Sequence, residues 1–120
     1  MLELPENYEL ISFFECEPHL GSKDTPWEYN SITFKTLRGQ DYLFCKIEPD
    51  VGDLEFIWST EGIKRVHVRL NSLKNITINL DKDHEYLIAS GGDSDPKQLL
   101  KIRIKPYIAI ELFSIHDFMT

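Results

Sequence analysis

From Arg65 to Leu70 polar and apolar side chains alternate without a break: Arg65, His67 and Arg69 on one parity, Val66, Val68 and Leu70 on the other. A helix turns about 100° per residue, which would scatter either set around its axis, whereas a strand turns about 180° and gathers each set on one face. The same signature returns where Ile76, Ile78 and Leu80 alternate with Asn75, Thr77 and Asn79, and where Leu100, Ile102 and Ile104 alternate with Lys101, Arg103 and Lys105. Ile108, Ile110 and Leu112 repeat it near the end of the chain. One face of each run is built to pack and the other to stay wet, which is the pattern of antiparallel sheets solvated on one side.

Turn residues cut the chain at intervals of about ten positions, the spacing of a many-stranded all-β domain. The reading is nine short strands: Tyr8 to Glu15, Glu28 to Thr36, Tyr42 to Glu48, Leu54 to Thr60, Ile63 to Leu70, Asn75 to Leu80, Tyr86 to Ser90, Leu99 to Lys105 and Tyr107 to Ser114. Glu61-Gly62 is short enough to close a hairpin. Pro106 has no amide donor and belongs at a bend or an edge. Short helices are conceivable only at Leu70 to Leu73 or Pro96 to Leu99. No stretch alternates strand and helix at the length a parallel crossover needs. An antiparallel β-sandwich or flattened barrel follows, as one domain over residues 1–120, since a chain of 120 residues has material for one core.

The net charge of −7 is unevenly spread. Glu3, Glu6, Glu9, Glu15, Glu17, Asp24 and Glu28 face Lys23 alone in the first thirty residues, a balance of −6; thirteen acidic and twelve basic residues share the remainder. A block of one sign steers partners of the other sign. It favours a basic protein partner and disfavours nucleic acid. Met1 to Ser12 carries three glutamates and no basic residue, unlike the start of a secretion signal, and apolar runs are far too short to span a bilayer. A cytoplasmic protein without membrane contact is expected, with Cys16 and Cys45 as reduced thiols.

Within the acidic third, the irregular segment from Glu17 to Pro26 leads to Trp27 and Tyr29, large rings in a charged surround of the kind that anchors interfaces. Glu15, Glu17, Asp24, Trp27, Glu28 and Tyr29 are therefore the candidate partner-binding residues. Arg65/His67/Arg69 and Lys101/Arg103/Lys105 would make a basic strip if their strands were neighbours, but pairing with carboxylates such as Glu48, Glu55, Glu85 and Glu111 accounts for them more simply. Asp81 to Glu85 and Gly91 to Asp95 gather oxygen ligands without the spacing of a calcium loop, and read as polar turns.

No metal or cofactor is expected: the cysteines and the dispersed His19, His67, His84 and His116 lack close-spaced ligand pairs. No nucleophile elbow or phosphate loop is present, and Glu15 and Glu17 on one strand face are not opposed across a substrate. The expectation is a protein that is not an enzyme.

The acidic all-β scheme, the charged and aromatic N-terminal third, and the paired-strand ending Leu99-Leu-Lys-Ile-Arg-Ile-Lys-Pro-Tyr-Ile-Ala-Ile-Glu-Leu112 resemble the small immunity proteins with which bacteria neutralise their own polymorphic toxins. The resemblance implies a toxin domain as partner, inhibition by occlusion and no catalytic residue. Two other readings stand beside it. One is a small-ligand or carbohydrate-binding sandwich stacking its ligand on Trp27, Tyr42 and Trp58. The other is a homodimer completed through a long unpaired edge strand.

Overall fold

The computed structural model describes residues 1–91 and 97–115. Its strands form two antiparallel sheets in simple meander order. Sheet one is β1 (His19–Leu20), β2 (Ile32–Arg38), β3 (Asp41–Glu48), β4 (Asp53–Thr60) and β5 (Ile63–Leu70); sheet two is β6 (Leu73–Asp81), β7 (His84–Gly91), β8 (Lys97–Arg103) and β9 (Ala109–Ile115). The sandwich of nine strands expected from the alternation is present. Two-residue turns make the tight connections: Glu61-Gly62 and Lys82-Asp83 all take positive φ, the conformation whose twist matches that of paired strands.

The first element departs from expectation. Asn7–Phe14 is an α-helix, α1, and not the strand read from Tyr8 to Glu15. Leu10, Phe13 and Phe14 recur at helical spacing and are all buried, whereas the period-two reading placed apolar residues on both faces. The Glu9 carboxylate accepts the Glu6 amide at 3.0 Å, closing the first turn, and Glu15 ends the helix in the left-handed region at φ 59°. The ninth strand is instead β1, two residues inside the expected loop. Glu28 and Tyr29, placed in a strand by the sequence, belong to a single 3₁₀ turn, Trp27–Tyr29, leading into β2. Leu70 to Leu73 holds a turn at Ser72 and not a helix; Pro96 lies outside the described residues.

The core lies between the sheets and under α1. Ile32, Phe34, Leu43, Cys45, Ile47 and Phe56 come from sheet one, and Ile76, Leu87, Ala89, Leu100 and Ile102 from sheet two. α1 packs against β2 and β6, with the Phe14 ring stacked on Phe34 at 4.4 Å and 17°. The chain passes between sheets at Ser72, where the start of β6 is wedged close to two glycines. A Cβ on Gly52, at φ +75°, would come within 2.9 Å of the Leu73 carbonyl, and one on Gly91 would collide with the Lys74 amide nitrogen. Leu73 donates its amide to the Gly52 carbonyl at 2.9 Å, so both approaches are needed to fix the corner.

Three facing expectations fail. Leu80 and Leu112, read as inward, are 74% and 51% exposed. Leu80 sits beside the β6–β7 hairpin tip and Leu112 on edge strand β9, where alternation continues past the area the opposite layer covers. Arg103, read as wet, is buried: its guanidinium lies 4.1 Å over the Tyr107 ring, which folds back from the β8–β9 connection. Among the described residues no helix is long and apolar enough to cross a membrane.

Candidate partner interface

The acidic third forms a layer over the inner side of β2. Its seat is aromatic. Phe34 is stacked by Phe14 on one side and met edge-on by Trp27 at 6.3 Å, so helix and loop are fastened to the same strand through the same ring. Trp27 is thus half-buried against the core, while Tyr29, two residues on, is 60% exposed.

The loop between β1 and β2 is ordered by a residue that the sequence reading missed. Buried Asn30 donates from Nδ2 to the carbonyls of Ser22 (2.6 Å) and Thr25 (2.9 Å), and its Oδ1 accepts the amides of Ser22 (3.0 Å) and Ser31 (2.9 Å). One side chain satisfies four backbone groups and holds Asp24, Glu28 and Tyr29 outward on a fixed frame. An asparagine in a polar loop gives no sequence signal distinguishing it from a solvated one.

The six candidates separate into three roles. Glu17, Asp24 and Glu28 are exposed and appear in no ion pair among the described residues. Trp27 and Tyr29 supply a half-buried and an exposed ring. Glu15 does something else: it is the helix C-cap, not a strand residue beside Glu17. Its carboxylate accepts Arg38 Nη1 at 2.6 Å and Lys105 Nζ at 3.3 Å, tying α1 to β2 and to the β8–β9 connection. It positions the layer and is largely spent in doing so. Next to it, Thr36 donates its hydroxyl proton to the Phe14 carbonyl at 2.8 Å, which leaves the Cys16 thiol to donate to Thr36 Oγ1 at 3.4 Å. Cys16 and Cys45 are both free thiols, and burial pushes the Cys45 thiol up, away from reactivity.

Between these groups opens a cleft of about 550 Å³, floored by Cys16, Thr36, Ile104 and Ile108 with Leu37 and Tyr107 at its lip. Glu15, Asp41, Lys35 and Arg38 all line it, so the opening is mixed in sign. The Asp41 carboxylate accepts Trp58 Nε1 (3.0 Å) and Thr60 Oγ1 (2.7 Å), and these bonds hold it below the usual carboxylate range. Trp58 is therefore part of the scaffold. With Trp27 on the core and Tyr42 on the opposite face of sheet one from Trp58, the three rings offered as a stacking platform do not meet.

The two basic stripes do not meet either, because β5 and β8 belong to different sheets. His67 Nε2 and Arg69 Nε both reach Glu55 Oε2, at 2.6 and 3.0 Å, while Arg65 stays exposed. Lys101 lies over the Tyr86 ring at 4.2 Å. Neighbour pairing accounts for most of them. Among the described residues no group of three or more His, Cys, Asp or Glu gathers as a metal site; Asp81 to Glu85 spans the β6–β7 turn and the strand ends on either side of it, and Asp93 and Asp95 lie outside the described residues.

The elements define a two-sheet antiparallel β protein capped by one helix, with a charged, ring-studded layer over the inner side of β2. Neither a protein-family model nor a curated protein sequence matches the chain. Among solved structures, one chain of a contact-dependent growth inhibition toxin–immunity protein complex from Klebsiella pneumoniae 342 is similar to it, with a TM-score of 0.81 and 21% identity. The match covers 94% of this chain and 96% of that one. At that identity the likeness is one of fold, and it reaches from the N-terminal layer through both sheets.

Proposed function

We propose that this protein is an immunity-type inhibitor: a non-catalytic cytoplasmic protein of a bacterial toxin system that binds a basic toxin domain and occludes it. One observation carries the reading, namely the fold held in common, over nearly the whole of both chains, with a chain from a toxin–immunity protein complex. The charge distribution supports it from a separate direction. Glu17, Asp24 and Glu28 project from the frame set by Asn30, with Tyr29 exposed among them and Trp27 as its half-buried root. Acidic side chains of that kind speed encounter with a basic surface, and a ring that becomes buried slows release. Glu15 acts one step back, by holding the layer to the sandwich.

The test is co-expression with the product of the neighbouring reading frame. The expected result is a stable complex and relief of the growth arrest that the product causes alone. A neighbouring product that arrests growth equally with and without this chain, and does not bind it, ends the reading.

A further inference from the structure

The outer face of sheet one is not an ordinary solvated face. In register across β2, β3 and β4, Leu37 pairs with Tyr42 and Phe44 with Ile57, and Tyr42 and Phe44 are two apart on β3, so the four side chains form one apolar block. Leu37 is 73% exposed and Tyr42 37%. Around the block stand Lys35 (opposite Phe44), Lys46, Lys64 (opposite Ser59) and Arg69, against Glu48, Asp53 (opposite Glu48) and Glu55, with Lys46 paired to Glu48 at 3.2 Å and Arg69 to Glu55 at 3.0 Å. In an acidic protein this face carries a small positive excess. An apolar centre with a charged rim is the build of an interaction surface.

The complementary surface is on the same chain. The N-terminal layer is the negative pole, and it exposes rings of its own, Tyr8 (72%) and Tyr29 (60%). It packs on the inner side of β2, whereas the apolar block lies on the outer side, so no molecule can bring its own two poles together. We infer that the outer face of β2–β5 takes the N-terminal layer of a second copy, giving head-to-tail self-association. Such a contact joins two different patches and is heterologous, so it extends into chains unless its rotation closes a ring. The association stands without the toxin reading; one consequence rests on that reading, that a toxin domain seated on the layer displaces the second copy.

Sedimentation velocity on the full chain tests this. Between ~20 and ~500 mM salt the Debye length shrinks several-fold, so the expected result is mass that grows with protein concentration at low salt and returns to the monomer at high salt. Two exposed double variants then separate the poles: K35E/K46E reverses the basic face, and D24K/E28K the acidic layer. Each alone should be monomeric at low salt, with an unchanged circular dichroism spectrum reporting that it folds. Mixed one to one they should associate, because each supplies the pole that the other lacks. A wild type that stays monomeric at low salt overturns the proposal, as does a mixture that fails to pair or a K35E/K46E variant that still self-associates. So does a monomeric wild type that binds a fluorescent single-stranded RNA oligonucleotide through Lys35 and Lys46, since the face then belongs to a polyanion. Failure here with a toxin complex intact would remove self-association alone; the reverse would remove the toxin reading alone.

Discussion

The N-terminal layer and the outer face of sheet one lie on opposite sides of β2 and are built by opposite means. The layer has little regular structure of its own, and it is held by a few concentrated contacts: a ring stack at Phe34, a four-bond hub at Asn30 and an ion-pair clamp at Glu15. The outer face is a ladder of paired strands in which each side chain has a neighbour on either strand, and no single residue holds it together. Order in the layer therefore rests on particular residues, while order in the face is shared. Single substitutions should unseat the first and scarcely disturb the second.

Phe14→Ala is the strongest way to break that contrast. It removes the ring stacked on Phe34 and should cost about 3–5 kcal/mol, the usual range for truncating a buried aromatic, read from the urea midpoint. Hydrogen exchange should rise in α1 and in the loop leading to β2 well before β3 and β4. Equal loss of protection in the outer strands would mean that the layer and the sheet are one cooperative unit. Asn30→Ala comes next. Four backbone groups lose their partner, and since the loop can rehydrate some of them the cost should be about 1–3 kcal/mol. The amides of Ser22 and Ser31 should exchange faster while those of β3 do not.

These two residues also mark what could be read in the chain beforehand. The strands from β3 to β9 were legible because each buries one face, and burial on one face writes a period of two into the sequence. Ile63–Leu70 was read to the residue for that reason. The layer was not legible in the same way. α1 spans eight residues, too short for a sustained helical period to outweigh the alternation of its neighbours, and its cap is formed by two glutamates that also read as plain charge. Glu15 was found as an acidic residue but assigned a docking role, because an ion pair to Arg38 and Lys105 joins positions far apart in sequence. Arg103 was misread on the same ground: the ring that covers it, Tyr107, arrives around a bend.

Charge reversal at Glu17, Asp24 and Glu28 sharpens the comparison without breaking the fold. All three are exposed, so E17K/D24K/E28K should change stability by less than about 0.5 kcal/mol. The association rate with a basic partner should fall roughly tenfold and lose most of its salt dependence, with dissociation little changed. Stopped-flow mixing at several ionic strengths reads both. Reversing Glu15 should behave differently, lowering stability by opening the clamp. An unchanged association rate in the triple variant would remove charge steering from the account.

The smallest effect belongs to the outer face, and its sign can be worked out. Hydrogen bonds from His67 and then Arg69 hold the Glu55 carboxyl below its ordinary value of 4.5. A carboxyl depressed in the folded state stabilises that state above the unfolded value, and the contribution is lost as pH falls through the folded one. The cluster is partly open to water, which weakens it, and its loss should leave the rest of the sheet in place. A carbon-detected titration should find Glu55 ionised to lower pH than its ordinary value allows, and His67→Gln should move it back toward that value. The urea midpoint of H67Q should converge on the wild type once the pH is low enough to protonate Glu55 in both, and fall slightly below it near pH 6. A large difference near pH 6 would mean that one contact on this face carries weight after all, and the contrast with the layer would narrow to a difference of charge.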